Sequence, residues 1–303
     1  MTFTQAFESG YGGATRRRIE TGRTAMKENA LEGTMGITLH RGLRGFRLSV
    51  LTFVGACLVC PALPGIGRAE GFRIETKIYV GDEETPVSET TTLFLDRVVY
   101  DFLAEPKQVA VFRKATGGKP GRFILLDEKN RIQTELSTDQ LAGAMNKLRT
   151  WASRQSDPFL QFAADPQFEE SFEPESGRLR LASHLENYSV ATTGTKQSES
   201  LSEYREFLDW YTQLNTLLTA GPPPGPRLRL NEALARHQVV PLTVELTRAG
   251  EKEPLRAEHK FIWRLSREDA DRIDDVRASL AAFRPVPNEQ FLRQVSEANG
   301  AIK

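Results

Sequence analysis

The side chains best suited to proton transfer or metal binding are sparse in this chain. Beyond residue 69 only His184, His237 and His259 remain, in three separate segments and without the close spacing that metal ligands on one element require. His259 falls on the apolar side of an alternating run, where a hydrogen-bonded core histidine is expected rather than a ligand or catalyst. Asp269, Asp271, Asp274 and Asp275 crowd near the start of a helical stretch. The helix dipole favours acids there, and their spacing predicts a solvated outer face. Gly117-Gly118-Lys119 has neither the spacing nor the strand-to-helix setting of a phosphate loop and reads as a hairpin turn. Asn187-Tyr188-Ser189 matches the glycosylation acceptor, a three-residue pattern frequent by chance. Gly-x-Ser-x-Gly and His-Glu-x-x-His are missing and no closely placed carboxylate pair stands out, so the sequence predicts no catalytic residue, no metal site and no cofactor.

Aromatic and aliphatic residues are more suggestive. Phe207, Trp210, Tyr211 and Leu214 belong to the broad apolar arc of one helical stretch, and Phe261 and Trp263 to one side of a strand-like run. Side chains in this pattern either line an apolar, lipid-sized pocket between sheet and helices or fill a core, and spacing alone suits both.

The elements that must position them are legible from periodicity. Residues 72–80 alternate Phe72, Ile74, Ile78 and Val80 against Arg73, Glu75 and Lys77, as a half-buried strand does. Strand-like runs at 87–95, 98–103, 108–112, 122–126 and 131–136 follow, across breaks too short for crossovers, which predicts an antiparallel meander of six. The 98–103 and 122–126 runs are apolar on both sides, the mark of central strands covered on both faces. Ser137-Thr138-Asp139-Gln140 is a capping box that opens a helix to about residue 154. A short helical turn at 158–163 and strands near 168–172, 178–185 and 188–195 come next. A second box, Ser200-Leu201-Ser202-Glu203, opens the aromatic helix. Residues 221–226, Gly-Pro-Pro-Pro-Gly-Pro, stop it and read as a stiff linker. Residues 239–247 and 255–265 predict a hairpin, and Ser266-Arg267-Glu268-Asp269 caps a last helix carrying Ile273, Val276, Leu280 and Phe283. The expected fold class is α+β, a curved antiparallel meander sheet of about 9 to 11 strands with helices packed on one face, half-barrel-like.

The first part of the chain carries an address. Arg41, Arg44 and Arg47 precede the apolar run 48–60, then Pro61, Pro64 and the small-residue end Gly67-Arg68-Ala69. That order predicts a secretory signal over 35–69, cleaved between Ala69 and Glu70, and hence a periplasmic or secreted protein. Thirteen apolar residues closed by prolines fall short of the roughly 20 that cross a bilayer, so no transmembrane span is expected in the mature chain. Val54-Gly55-Ala56-Cys57 loosely resembles a lipobox, and the alternative is a lipid anchor through Cys57. Residues 1–34 are polar and aperiodic, expected to be disordered or to precede a true start at Met35, whereas 70–303 are expected to form a single domain. Cys57 and Cys60, the two cysteines of the chain, leave with the signal, so the mature body has no disulfide or thiol nucleophile. Residues 1–69 also hold nine basic side chains against four acidic ones. From the totals of 40 and 40, that leaves 31 basic and 36 acidic side chains in the body. A mildly acidic body without a basic stripe argues against nucleic acid as a partner.

An export signal, a six-strand meander, an inserted helix, further strands and another helix together resemble the periplasmic lipoprotein-carrier superfold, over residues 72 to about 265. The resemblance is one of element order, without a shared motif. It implies a strongly curved sheet wrapped around helices and a hydrophobic cavity that shields an acyl chain. The segment "YDFLAEPKQVAVFRKATGGKPGRFILLDEKNRIQTELST" also resembles uncharacterised secreted bacterial proteins. The mature chain begins directly in a strand where carriers have a leading helix. The expected function is that of an exported, non-catalytic cell-envelope protein binding an apolar ligand, a lipid or a lipidated partner, between sheet and helices. The alternatives are a structural or protein-interaction module with a filled core, partnered by another envelope protein, and a hydrolase with dispersed carboxylates.

Overall fold

The computed structural model describes residues 71–105, 107–195 and 198–300. The expected signal segment, with Cys57, Ala69 and Glu70, lies outside them. Six strands come first: β1 (Phe72–Val80), β2 (Ser88–Leu95), β3 (Val98–Leu103), β4 (Gln108–Arg113), β5 (Arg122–Asp127) and β6 (Ile132–Ser137). Each pairs antiparallel with the next, as the short breaks require. At the β2–β3 turn Asp96 and Arg97 both take positive φ, 53° and 64°, the handedness that matches the twist of the strands it joins. Gly117 and Gly118 likewise make a turn, closed by the Thr116–Lys119 bridge.

Helices α1 (Thr138–Ala152) and α2 (Pro158–Ala164) follow, then β7 (Glu169–Glu173), β8 (Arg178–Ala182) and β9 (Glu186–Gly194). Next come α3 (Ser198–Thr219), α4 (Gly225–His237), β10 (Val239–Arg248), β11 (Leu255–Ile262), α5 (Arg267–Ala282), β12 (Arg284–Pro285) and α6 (Asn288–Gly300). The capping boxes at Ser137 and Ser266 form as the sequence predicts. The one at Ser200 does not open its helix, because α3 already begins at Ser198. Of the stretch expected to be a linker, residues 221–224 do connect α3 to the next helix, and only its end differs: α4 begins at Gly225, with Pro226 in the first turn, where its missing N–H costs no hydrogen bond. Helices α4 and α6 are not among the elements expected from periodicity, although α4 buries Leu230, Ala233 and Leu234 at helical spacing.

All twelve strands form one open, curved sheet in the order β12-β6-β5-β4-β3-β2-β1-β11-β10-β9-β8-β7. The fold is thus α+β with a curved antiparallel sheet. The twelfth strand is the two-residue β12, parallel to β6 and too short to leave a period in the sequence. Strands β1 and β11 join the halves of the sheet, so that Ile74 faces Phe261, Thr76 faces His259 and Ile78 faces Ala257.

Alternation sorts the core into two faces. One carries Phe72, Ile74, Phe94, Val99, Phe112, Phe123 and Leu125 under Leu201, Tyr204, Phe207 and Leu214 of α3, with Leu141 of α1 and Phe291 of α6. It continues under α4, where Leu230, Ala233 and Leu234 meet Ile78, Leu179, Val190 and Val244. The other face bears Leu93, Tyr100, Val109, Val111, Ile124 and Leu126 beneath Ile273 and Val276 of α5. Helix cover on one face therefore needs correction in one respect: α5 lies on the opposite face. It is there because β3 and β5 are apolar on both sides, and the second side must also leave water. Asp269 departs from the solvated face expected of it: it is 1 % exposed, holds the backbone of Ser266 and meets Arg73 at 3.2 Å. Asp271, Asp274 and Asp275 are exposed as expected. Among the described residues no helix is long and apolar enough to cross a membrane.

Two glycines test how closely the helices dock. A β-carbon on Gly225 would stand 2.3 Å from the Ala163 carbonyl oxygen of α2, too close without moving backbone, whereas one on Gly143 of α1 meets nothing within 4 Å. Gly225→Ala is expected to lower stability by about 1–3 kcal/mol through overpacking. Gly143→Ala should raise it by up to about 1 kcal/mol through helix propensity. Urea unfolding of both variants measures this, and equal effects would contradict the docking described.

Candidate ligand-binding site

The sheet's helix-covered face is not apolar throughout. On β1 the inward series Phe72, Ile74, Thr76, Ile78 is interrupted by Thr76, which lies between Thr90 of β2 and His259 of β11. On β2 the inward residues before Phe94 are Ser88, Thr90 and Thr92, and Thr92 faces Asp101 of β3. Threonine is a good strand former but too short to reach the helix layer as phenylalanine does. Above this polar row α3 presents Tyr204, Phe207, Leu208, Tyr211, Thr212, Asn215 and Thr216. The space left between them is a cavity of about 150 Å³. Pro222, Pro223, Pro224 and Pro226 close its side, and Glu186, Tyr188, Arg227 and Arg248 line it from β9, α4 and β10.

Aromatic packing fixes the walls. Phe207 meets Phe94 edge-on at 5.7 Å and stacks on Tyr211 at 4.9 Å, while Tyr204 meets Phe261 edge-on at 5.3 Å. Of the residues singled out in the sequence as lining, Phe207 and Tyr211 border the cavity. Leu214 is fully buried core, and Trp210, Phe261 and Trp263 pack against that core as partly buried residues. The sequence reading passed over Asp101, Glu186, Arg227 and Arg248. Asp101 did leave a signal, as an acid in the middle of a strand apolar on both sides. Glu186 and Arg248 sit at strand ends and become partners only through the β9–β10 register, which sequence spacing does not reveal.

Three polar groups dominate the chemistry. Asp101, 3 % exposed, accepts from Thr92 Oγ1 at 2.6 Å and from the Tyr211 hydroxyl. Burial raises its pKa, and the two donated hydrogen bonds work against that without overcoming it. Tyr211 is in turn held well above its ordinary pKa by burial and by the charge of Asp101. On the far side Glu186, fully buried, accepts from Arg248 Nε at 2.7 Å, and the guanidinium also covers the Phe159 ring at 4.9 Å.

His259 lies between these groups. Its Nδ1 is 2.9 Å from Thr76 Oγ1, but Nε2, shut from bulk water, has no hydrogen-bond partner. The expectation of a bonded core histidine thus holds for one nitrogen only. Burial, with the nearby charge of Arg227, lowers its pKa to about 3, so the ring is neutral at pH 7. The Tyr204 hydroxyl and Asn215 Oδ1 are also buried without partners. The other two histidines stand apart. His184 is exposed in a turn, and His237 bonds Glu170 at 2.8 Å and stacks on Phe172. Asn187 of the glycosylation pattern lies in β9 with its Oδ1 accepting from the Ser183 backbone. Among the described residues no three acids, histidines or cysteines converge as a metal site.

Two titrations follow. Tyr211→Phe removes a donor that favours ionised Asp101, so the Asp101 midpoint should move further up, read from its carboxyl carbon resonance; a downward move would contradict the geometry. For His259 the folded pKa of about 3 lies below the ordinary 6.5. The unfolded state therefore binds the extra proton in that window, and the stabilisation present above pH 6.5 is lost as pH falls. The loss is about 1.4 kcal/mol per pH unit relative to His259→Gln. Parallel stability profiles for the two proteins between pH 4 and 6 would refute it. No family model matches the chain and no curated protein is significantly similar to it, so the role of this cavity rests on its own geometry.

Proposed function

We propose that this is an exported, non-catalytic cell-envelope protein that holds a small ligand, apolar over most of its body, between its curved sheet and α3. One observation carries the reading: a cavity with aromatic and aliphatic walls into which several buried polar atoms face without partners. A buried polar atom left unpaired costs about 1–3 kcal/mol. A chain shaped only for stability would have closed this space with one larger side chain at Thr76, Thr90 or Thr92. Export rests on the segment 35–69, and the resemblance in element order to the lipoprotein carriers is in keeping with it.

The volume limits the guest. About 150 Å³ is the size of an apolar cavity that takes benzene, below the 300 Å³ at which pockets for larger ligands begin. A lipid or lipidated partner therefore enters by one end, or the natural ligand is itself small. The alternative of a filled-core interaction module draws on Trp210, Leu214, Phe261 and Trp263, which do fill core. A hydrolase would draw on Asp101 and Glu186, which line the same cavity. Arg248 occupies Glu186, however, and leaves a pair of working carboxylates short of one member.

Organic extracts of the purified native protein, analysed by mass spectrometry, should contain a bound small molecule. Leu208→Trp, which fills the cavity from α3, should abolish retention of that molecule with Tm changed by only about 5 °C. An empty extract together with no uptake of small aromatic probes would overturn the reading.

A further inference from the structure

The polar lining of the cavity is uneven in a way that identifies a ligand class. Around its middle and its β9 side stand Arg227, the Tyr204 hydroxyl and His259 Nε2. Arg227 is close enough for its charge to act on Tyr204, Tyr188 and His259. Tyr204 is 5 % exposed, and its hydroxyl has no acceptor. If Thr76 donates to Nδ1 of His259, the ring's single proton sits on Nε2, and that nitrogen also becomes a donor without an acceptor. The phenol and the imidazole N–H are thus two donors without acceptors facing one space, and the Arg227 guanidinium borders it with its positive charge. What satisfies these two donors together is an acceptor-only group with several lone pairs, and beside a guanidinium that group is best an anion. The remaining walls, Ile74, Ile78, Phe94, Phe207 and Leu208, suit a hydrocarbon body.

Resting on the ligand-binding reading above, we propose that the guest is a small apolar monocarboxylate, an aromatic acid or a short-chain fatty acid. Its carboxylate is held by Arg227, Tyr204 and His259, and its hydrocarbon body lies against Phe94 and Phe207. The Asp101 end does not oppose this charge. That carboxyl is engaged by Thr92 and Tyr211, and its burial favours the protonated form. A cationic guest is disfavoured because Arg227 and Arg248 both border the cavity. A long-chain fatty acid exceeds the volume.

The test compares isosteres on the purified full chain by isothermal titration calorimetry at pH 7: benzoate against benzyl alcohol, and hexanoate against hexanol. Each acid is expected to bind at least tenfold more tightly than its alcohol. Tyr204→Phe deletes an oxygen that has no partner within the protein, so it should leave stability unchanged or raised while reducing benzoate affinity at least threefold and benzyl alcohol affinity not at all. Arg227→Gln should remove the preference for the acid altogether. The histidine ring nitrogens give an independent readout: on benzoate binding, ¹⁵N shifts of His259 should show the proton on Nε2, hydrogen-bonded. If acids and alcohols bind equally, or if Tyr204→Phe leaves the benzoate-to-alcohol ratio untouched, the carboxylate assignment is wrong while the cavity remains a binding site. If neither probe of either pair binds, the ligand-binding reading falls with it.

Discussion

The hydrogen-bonded pairing of β1 with β11 is the constraint on which the rest of the structure depends. It joins residues as far apart in sequence as Thr76 and His259, 183 positions, and makes one continuous sheet of the meander and the later strands. Side chains alternate across a strand, so register decides which residues face the helices. A shift of one position would turn Arg73, Glu75 and Lys77 inward and expel Phe72, Ile74 and Ile78. On either side of β1, Phe72 stacks on Phe94 of β2 at 4.1 Å and meets Trp263, just past β11, at 5.4 Å, and these cross-strand contacts hold the observed register. The same register places Thr90, Thr76 and His259 in one row, so the pairing that builds the core also builds the polar floor of the cavity.

The two faces of the sheet show what that floor costs. Under α5, Leu93, Tyr100, Val109, Val111, Ile124 and Leu126 meet Ile273 and Val276 in a nearly apolar layer. Under α3 the aromatic residues reach the sheet where it offers Phe94, Phe112 and Phe123, but over the threonines the layers stay apart. Dispersion attraction falls off steeply with a gap, and each buried polar atom without a partner adds a penalty. The body has no cysteine and so no disulfide to offset this; stability comes from the two packed layers on either side of the gap.

Periodicity revealed the layers better than the gap. The six-strand meander, the 239–265 hairpin, the cappings at Ser137 and Ser266 and the double coverage of β3 and β5 follow from alternation, turn residues and capping chemistry, all of which are local. Helix α4 escaped notice because three prolines precede it, and β12 because two residues have no period. The cavity was legible only in part. Phe207 and Tyr211 announced themselves as aromatics on a helix, yet Trp210 and Leu214, on the same arc, fill core, because which side of a broad arc faces a void is decided by the sheet beneath it. Glu186 and Arg248 are 62 residues apart and acquire meaning only as neighbours across β9 and β10.

The placement of charge explains why such a gap can persist in a folded protein. Asp101 on β3 and the Glu186–Arg248 pair on β9 and β10 sit on opposite sides of the polar row, each already engaged by its own partners. Neither draws the other across, as a bare acid and a bare cation would, so the walls have no electrostatic reason to collapse. His259 stays neutral between them, so the floor strands add no charge of their own there to that of Arg227, which reaches the cavity from α4. The floor under α3 thus sets uncharged polar groups, Thr76, Thr90 and His259, between charged side chains on either side. The β1–β11 register fixes only His259 in this row, whereas Tyr204 and Arg227 reach the cavity from α3 and α4 and depend on how those helices dock.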